Sequence, residues 1–292
     1  MSNLLQGTLS QTVSFSGVGL HTGKKAYITL YPAAVNTGIV FRRIDKAGQG
    51  VEIPAHWRYT KELPLCTCIS LDGVIHVRTI EHLMAAFYAC GIDNVRIDIA
   101  GTELPILDGS AMLYIEGLEQ AGVCQQDVSR SVFQVTRRFE FSEGATRTIS
   151  IEPADHLSLD LTISLAKIGR LNWCGEVTPT LFKQEAAKAR TFGRLKNGLL
   201  AQLTRFNKDP ICLGANTKSA VVIVGDKAIN KGGLRMPDEY ILHRVLDLVG
   251  DLMLSGGYIQ GKITALSTAH RLNHGLLRTM FAEGSGNVKQ LR

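Results

Sequence analysis

Residues 236 to 257, MPDEYILHRVLDLVGDLMLSGG, constrain this chain more than any other stretch. Ile241, Leu242, Val245, Leu246, Leu248, Val249, Leu252, Met253 and Leu254 occupy nearly every angle of a helical projection. The spacing therefore predicts a helix over 237–255 that is packed on all sides rather than lying on a surface. Pro237 suits a first helical turn and Gly256-Gly257 suits a stop. Inside that apolar run stand His243, Arg244, Asp247 and Asp251. Charges in such a setting need partners, because stripping water from an unpaired charge is expensive.

His243 and Asp247 are four residues apart and stack on one helical face. An imidazole nitrogen beside a carboxylate oxygen suits a borderline divalent ion such as zinc, given a further protein ligand. For this pair alone, a buried histidine–aspartate hydrogen bond without metal is the simpler account. The rest of the chain has to decide between them.

At 292 residues the chain exceeds the usual single core, and two domains are the natural expectation. With 45% hydrophobic and 20% charged residues it has the balance of a folded protein and not of a disordered one. The opening MSNLLQGTLSQTVSF lacks a basic region leading into an apolar core, and no run of about 18 apolar residues occurs. No secretion signal or membrane span is expected. Six cysteines without any C-x-x-C pair argue against a zinc ribbon or a disulfide framework and fit a reduced cytoplasm. A net charge of +6 favours an anionic partner. There is no basic arm, no aromatic-interleaved basic motif and no helix-turn-helix pattern, so nucleic acid is not expected.

Thr8 to Pro32 reads as two strands around the turn GVGLHTG at 17–23. That turn is no phosphate loop: a dinucleotide loop needs glycine at 22, and a Walker motif needs glycine at 18 and Ser or Thr where Lys25 stands. Strands are expected over 38–43, 51–53, 66–71 and 94–99. Thr79 is a plausible N-cap for a helix over 79–91 that carries Glu81 and His82 in its first turn and closes at Gly91. Neighbouring residues on a helix point about 100° apart, so one of the two can ligate a metal while the other reaches a bound water. An ordinary solvated helix start would accept the same residues.

A second helix is expected over 112–122. Gln125–Ser131 is polar and without core residues, and the domain boundary is placed there, giving 1–126 and 127–292. The second half opens with strands near 132–141, 149–153 and 158–163, followed by a glycine-broken segment over 168–176. A helix over 179–188 ends at a loop, ARTFGRLKNG, and a buried strand over 220–224 precedes the long helix. A strand over 261–266 and a last helix close the chain. Each half carries a helix with candidate ligands that stops at glycine and passes into a strand. A duplicated β-α-β unit with helices packed between two sheets accounts for that echo. The fold class is α+β.

Collected, His82, His243 and Asp247 form a set of two histidines and one carboxylate, with Glu81, Asp251 and His270 as further acid-base groups. Such a set leaves a zinc position for water, whose pKa falls toward about 7, and a neighbouring carboxylate can take its proton. His21, His56, His76, His156 and His274 read as ordinary, and Cys66 and Cys68 as a buried pair in a strand.

TIEH at 79–82 with the following LMAA, GIDN at 91–94, LPILDGSA at 104–111, GVGLHTG at 17–23, ARTFG at 189–193 and H-x-x-x-D-x-x-x-D at 243–251 together resemble the UDP-3-O-acyl-N-acetylglucosamine deacetylases. These are zinc amidases of lipid A synthesis in Gram-negative bacteria. The resemblance covers nearly the whole chain in order. It implies two β-α-α-β domains with helices sandwiched between the sheets, His82, His243 and Asp247 as ligands of Zn2+, and Glu81 as general base; Fe2+ would fit the same ligands. It further implies His270 as the charged histidine that protonates the leaving amine, Asp251 as the group that orients it, and Thr191 as a hydroxyl that holds the oxyanion.

The implied substrate is a small acylated UDP-amino sugar, and the implied enzyme is a cytoplasmic monomer, with transient contact at the inner-membrane surface left open. The sequence departs from the family pattern at Arg244, where lysine is usual and where a group near the oxyanion is implied. It departs again at Ala269, Arg271 and Arg194, and at Ile163-Ser164-Leu165-Ala166, where an aromatic and histidine-proline signature is usual. A relative that hydrolyses another N-acylated sugar or amine, and a non-catalytic metal-binding module, are the alternatives. Glu81 and His270 together speak against the module.

Overall fold

The computed structural model describes residues 5–44, 49–282 and 288–291. It is a mixed α+β molecule with six α-helices among the described residues: α1 (Glu81–Cys90), α2 (Met112–Ala121), α3 (Pro179–Glu185), α4 (Leu195–Ala201), α5 (Glu239–Leu252) and α6 (His270–Phe281). One five-stranded sheet runs in the order Val13–Val18, Lys25–Pro32, Val95–Ile99, Ile39–Ile44, Gly50–Pro54. Its one parallel pairing joins Ile39–Ile44 to Val95–Ile99, the strand that leaves α1.

The larger sheet is organised around Tyr258–Leu266, the strand that leaves α5. The first part of that strand pairs in parallel with Val132–Val135. Its second part lies between Arg147–Glu152, antiparallel, and Leu157–Leu165, parallel. Alternate residues Ile259, Ile263 and Ala265 are buried, as a half-buried strand requires.

Helices α1 and α5 pack against each other at the centre, with α2 and α3 against α1 and α6 against α5. Every residue of α5 but Arg244 is buried, which fulfils the expectation of a helix enclosed on all sides. The crossing is close at Gly250, where a β-carbon would lie 2.1 Å from the Glu81 carbonyl oxygen. Glycine there lets the first turn of α1 sit directly against the last turn of α5. Both helices then end alike, at left-handed Gly91 (φ 70°) and, after one 3-10 turn, at left-handed Gly256 (φ 80°).

Several local expectations are corrected. The long helix spans Glu239–Leu252, with Asp238 as its N-cap and a 3-10 turn over Met253–Ser255. Thr79 is not the cap of α1: its φ is 60°, Ile80 takes the cap position, and the Thr79 hydroxyl donates to Glu103 Oε1 at 3.0 Å. The polar stretch after residue 124 is no free linker, because Val123–Ser129 pairs antiparallel with Leu5–Leu9, a strand that precedes the two expected around the glycine turn. The segment with the broken glycine pattern forms a regular strand, Gly169–Glu176, paired with Leu157–Leu165. Where a loop is expected after Ala189 there is a short strand, Phe192–Arg194, and then α4, whose leucines are exposed and so give no inward-facing stripe to read. The preceding helix, α3, stops at Glu185.

Candidate active site

Helix α1 delivers Glu81 and His82 from its first turn, and α5 delivers His243, Asp247 and Asp251 from one face at intervals of four. Asp247 Oδ1 lies 3.3 Å from His243 Nε2 and 3.8 Å from His82 Nε2, and one donor atom from each residue falls within 4.8 Å of the others. The imidazole rings stand perpendicular with centroids 5.1 Å apart. All three side chains are buried.

The donor set fits a divalent metal. Burial, and then the charge of the neighbouring His243, push the His82 imidazole down to about 3; burial also lowers His243. Both rings are thus neutral, the form that ligates. Nδ1 of His243 meets the Ala189 carbonyl at 3.1 Å, an outer-shell contact that fixes the ring and leaves Nε2 for the site. His82 Nδ1 is buried without a hydrogen-bond partner among the described residues. Arg244 donates to Asp247 Oδ2 at 2.9 Å and lies over the Phe192 ring, 4.9 Å from its centroid. It therefore holds the second oxygen of Asp247 while the first faces the histidines.

A second cluster adjoins the first. The Thr67 amide donates to Glu81 Oε2 at 3.0 Å, and Glu81 Oε1 is 3.8 Å from His270 Nε2. The other nitrogen of His270, Nδ1, is 2.8 Å from Asp251 Oδ2, which also accepts from Asn273 Nδ2 at 2.8 Å. Asp251 Oδ1 accepts from the Thr67 hydroxyl and lies 3.6 Å from His274 Nε2. Burial raises the Glu81 carboxyl to about 8, reinforced by Asp247 and Asp251 and opposed by His270. Burial alone would lower His270, but the charge and hydrogen bond of Asp251 override it and hold the imidazole up at about 10. Asp251 itself is held well below the usual carboxylate range: burial would raise it, and the charges of His270 and His274 prevail.

Thr191 stands two residues after Ala189, whose carbonyl meets His243; its amide donates to the Gly109 carbonyl at 2.7 Å and its carbonyl accepts from the Val221 amide at 2.7 Å. The ring of the next residue, Phe192, is 6.1 Å from that of His243. The preceding residue, Arg190, is clamped by buried Glu239 through Nε–Oε1 at 2.7 Å and Nη2–Oε2 at 3.0 Å, which ties the ARTFG segment to the start of α5.

The pattern described as LpxC: UDP-3-O-acyl N-acetylglycosamine deacetylase matches residues 6–282. The chain belongs to the LpxC family. It is 37% identical over 290 residues to the UDP-3-O-acyl-N-acetylglucosamine deacetylase of Pseudoalteromonas translucida, covering 96% of this chain and 91% of that protein. It is 35% identical to those of Stenotrophomonas maltophilia and Coxiella burnetii, with the same coverage.

Two of the positions expected to depart from the family pattern touch each other: the Arg194 guanidinium donates to the carbonyls of Ala166 and Gly225. Another, Arg271, pairs with Glu143 at 2.8 Å. His274, expected to be an ordinary histidine, belongs instead to the Asp251 cluster, and Asn273 and Thr67 join it there. His274 and Asn273 were legible in principle, since with His270 they fall at i, i+3 and i+4 on α6. Thr67, in a strand buried on both faces between two cysteines, gives no such sign.

The GVGLHTG turn also finds its purpose in the structure: the amides of His21 and Thr22 donate to Glu103 at 2.7 and 2.8 Å. The chain's own carboxylate occupies the place where a phosphate would have to bind.

Proposed function

We infer that this enzyme, a hydrolase of lipid A biosynthesis, removes the N-acetyl group of UDP-3-O-acyl-N-acetylglucosamine and releases acetate. The observation that carries the reading is the contact of two buried clusters, a His82–His243–Asp247 set whose imidazoles are neutral and an acid-base line from Glu81 through His270 to Asp251. His82, His243 and Asp247 would hold the metal, with zinc as the ion proposed and iron compatible with the same donors. These residues would hold a cation, and the chemistry it would supply is acidification of a water and polarisation of the amide carbonyl. Glu81 takes the proton of the attacking water, and a cation held by the neighbouring trio would draw the carboxyl's pKa down from its raised value. His270, kept charged by Asp251, protonates the leaving amine, which is otherwise a poor leaving group. Thr191 donates its hydroxyl to the developing oxyanion. Arg244 acts through Asp247 rather than on the substrate, a positioning role.

The parts divide as 1–126, which supplies Glu81 and His82, and 127–292, which supplies the rest, with the helices between the two main sheets. No helix among the described residues is long and apolar enough to cross a membrane. We place the enzyme in the cytoplasm as a monomer.

Incubating the protein with UDP-3-O-acyl-N-acetylglucosamine and measuring acetate tests the reading. Release of about one acetate per substrate, abolished by a chelator and restored by zinc, is expected. Hydrolysis of other N-acylated sugars with this substrate untouched points to an altered substrate. Unchanged turnover after metal removal overturns the mechanism.

A further inference from the structure

The edge of a guanidinium formed by Nε and Nη2 matches the two oxygens of a carboxylate. Three arginines of this chain use it in that way: Arg42 on Asp98, Arg130 on Asp93 and Arg190 on Glu239. Arg78, on the strand His76–Arg78, is more buried than any of them, at 1% exposed. Its Nη1 donates to the Pro210 carbonyl at 3.2 Å, while Nε and Nη2 are buried without a hydrogen-bond partner among the described residues. A guanidinium does not shed its proton, so the charge stays, and burying it without a counterion is costly.

His21 adds a third donor. Its imidazole is buried, and Nδ1 accepts from the Cys212 amide at 3.3 Å. Burial, and then the charge of Arg78, push it down to about 3, so the ring is neutral and its proton sits on Nε2. That nitrogen also lacks a hydrogen-bond partner among the described residues. Pro210 and Cys212, two residues apart on one loop, thus anchor both side chains, and the three atoms left free are all donors. Water could satisfy such donors but would leave the charge, whereas a carboxylate answers both. The corner adjoins the catalytic centre: burial and Glu81 push the Cys66 thiol up and Arg78 draws it back, and the next residue, Thr67, donates its amide to Glu81. On the outer side Pro210 and Thr102, the backbone partners of Arg78, line a cavity of about 400 Å³ that also carries Lys24, Arg205 and Lys208.

We propose that Arg78 and His21 form a pocket for a small carboxylate, the Nε–Nη2 edge of Arg78 taking its two oxygens and His21 Nε2 donating to one of them, and that its ligand is acetate. The enclosure of both side chains limits the acid to a small one. Acetate as the occupant rests on the deacetylation inferred above, which releases it next to this corner; the carboxylate pocket itself does not.

Full-length, metal-loaded protein is titrated calorimetrically with sodium acetate, without substrate, and separately with sodium chloride at matched ionic strength. Saturable binding of acetate that chloride does not reproduce is expected, together with a melting temperature that rises with acetate concentration. Arg78→Met removes the charge and the fork and should lower acetate affinity at least roughly tenfold. Arg78→Lys keeps the charge without the fork and should fall between the two; it carries the test should Arg78→Met not fold. No binding, equal stabilisation by chloride, or an affinity that both variants leave unchanged, which gives the acetate to the metal centre, overturns the proposal. Acetate bound through Arg78 by a protein that releases none from the UDP sugar supports the pocket and fails the substrate reading alone; deacetylation without acetate binding fails the pocket alone.

Discussion

Helix α1 brings its two site residues from its first turn, whereas α5 brings three from its interior, and the two placements have different origins. In α5 the helix itself sets the geometry: residues four apart share a face, so His243, Asp247 and Asp251 line up whatever surrounds them. In α1 the position of Glu81 and His82 depends on the chain before the helix. Thr79 enters at φ 60°, its amide bonds the Thr67 carbonyl at 2.8 Å, and its hydroxyl bonds Glu103, the carboxylate that also gathers the turn at residues 21–22. One half of the site is thus built locally and the other by contacts distant in sequence.

The largest effect probes what the two helices share. His82→Ala and His243→Ala are each expected to lose bound metal and more than about a thousandfold in turnover, measured by metal content and acetate release. Retention of metal by only one of them would break the symmetry of the set and restrict the site to a single helix.

Next comes the acid-base line. Asp251→Asn removes the largest influence that holds His270 at about 10 and leaves burial opposed only by Glu81 and Asp247, so the imidazole titrates well below that value. A step that needs charged His270 is lost as pH rises through its pKa, and the alkaline limb of the rate profile therefore retreats toward acid. At pH 8 the loss should reach roughly a hundredfold and shrink as pH falls. The stability change has the same sign. A raised His270 stabilises the fold fully below about 6.5 and loses that contribution as pH climbs toward about 10, and the variant should lack this dependence in thermal melts. An alkaline limb that stays in place would remove His270 from the mechanism.

Glu103→Ala tests the claim that α1 alone is set from afar. It strips an acceptor from the His21 and Thr22 amides and the Thr79 hydroxyl, at a cost of about 1–3 kcal/mol for each buried donor left without a partner. Lower thermal stability and a turnover loss of roughly tenfold are expected, while the chain's metal content falls little, because two of the three ligands lie on α5. Equal damage to both helices, seen as wholesale metal loss, would contradict the division.

This division also explains what could be read from the sequence. The α5 residues, the glycine stops at Gly91 and Gly256 and the α+β class are matters of period and local conformation, and all were legible. The spacing of His270, Asn273 and His274 belongs with them, though His274 passes for an ordinary histidine until Asp251 is seen beside it. The hydroxyl of Thr79 suggests a cap because the sequence does not show Glu103 beside it, a residue 24 positions further along the chain. The Val123–Ser129 strand was hidden for a similar reason. Its polar side chains satisfy other segments, Gln126 bonding Asn94 at 2.7 Å and Ala33 at 2.9 Å, so no hydrophobic alternation announces it.

The smallest effect concerns Arg244, which belongs to α5 but lies at its only unburied position. Its guanidinium makes one hydrogen bond to Asp247 and a stacking contact with Phe192. Because that bond is single rather than a two-pronged fork, a lysine ammonium can supply the charge, but it stacks less well on the ring. Arg244→Lys should therefore lower metal affinity by less than roughly tenfold and change turnover only a few-fold. Arg244→Ala, which frees Asp247 Oδ2 altogether, should fall toward the upper part of the roughly 10–100-fold range typical of outer-shell partners. If Lys and Ala are equally impaired, the contact with Phe192 matters more than the charge. If both variants keep full metal affinity and differ only in KM, Arg244 touches substrate, and the carboxylate of Asp247 is held by the helix alone.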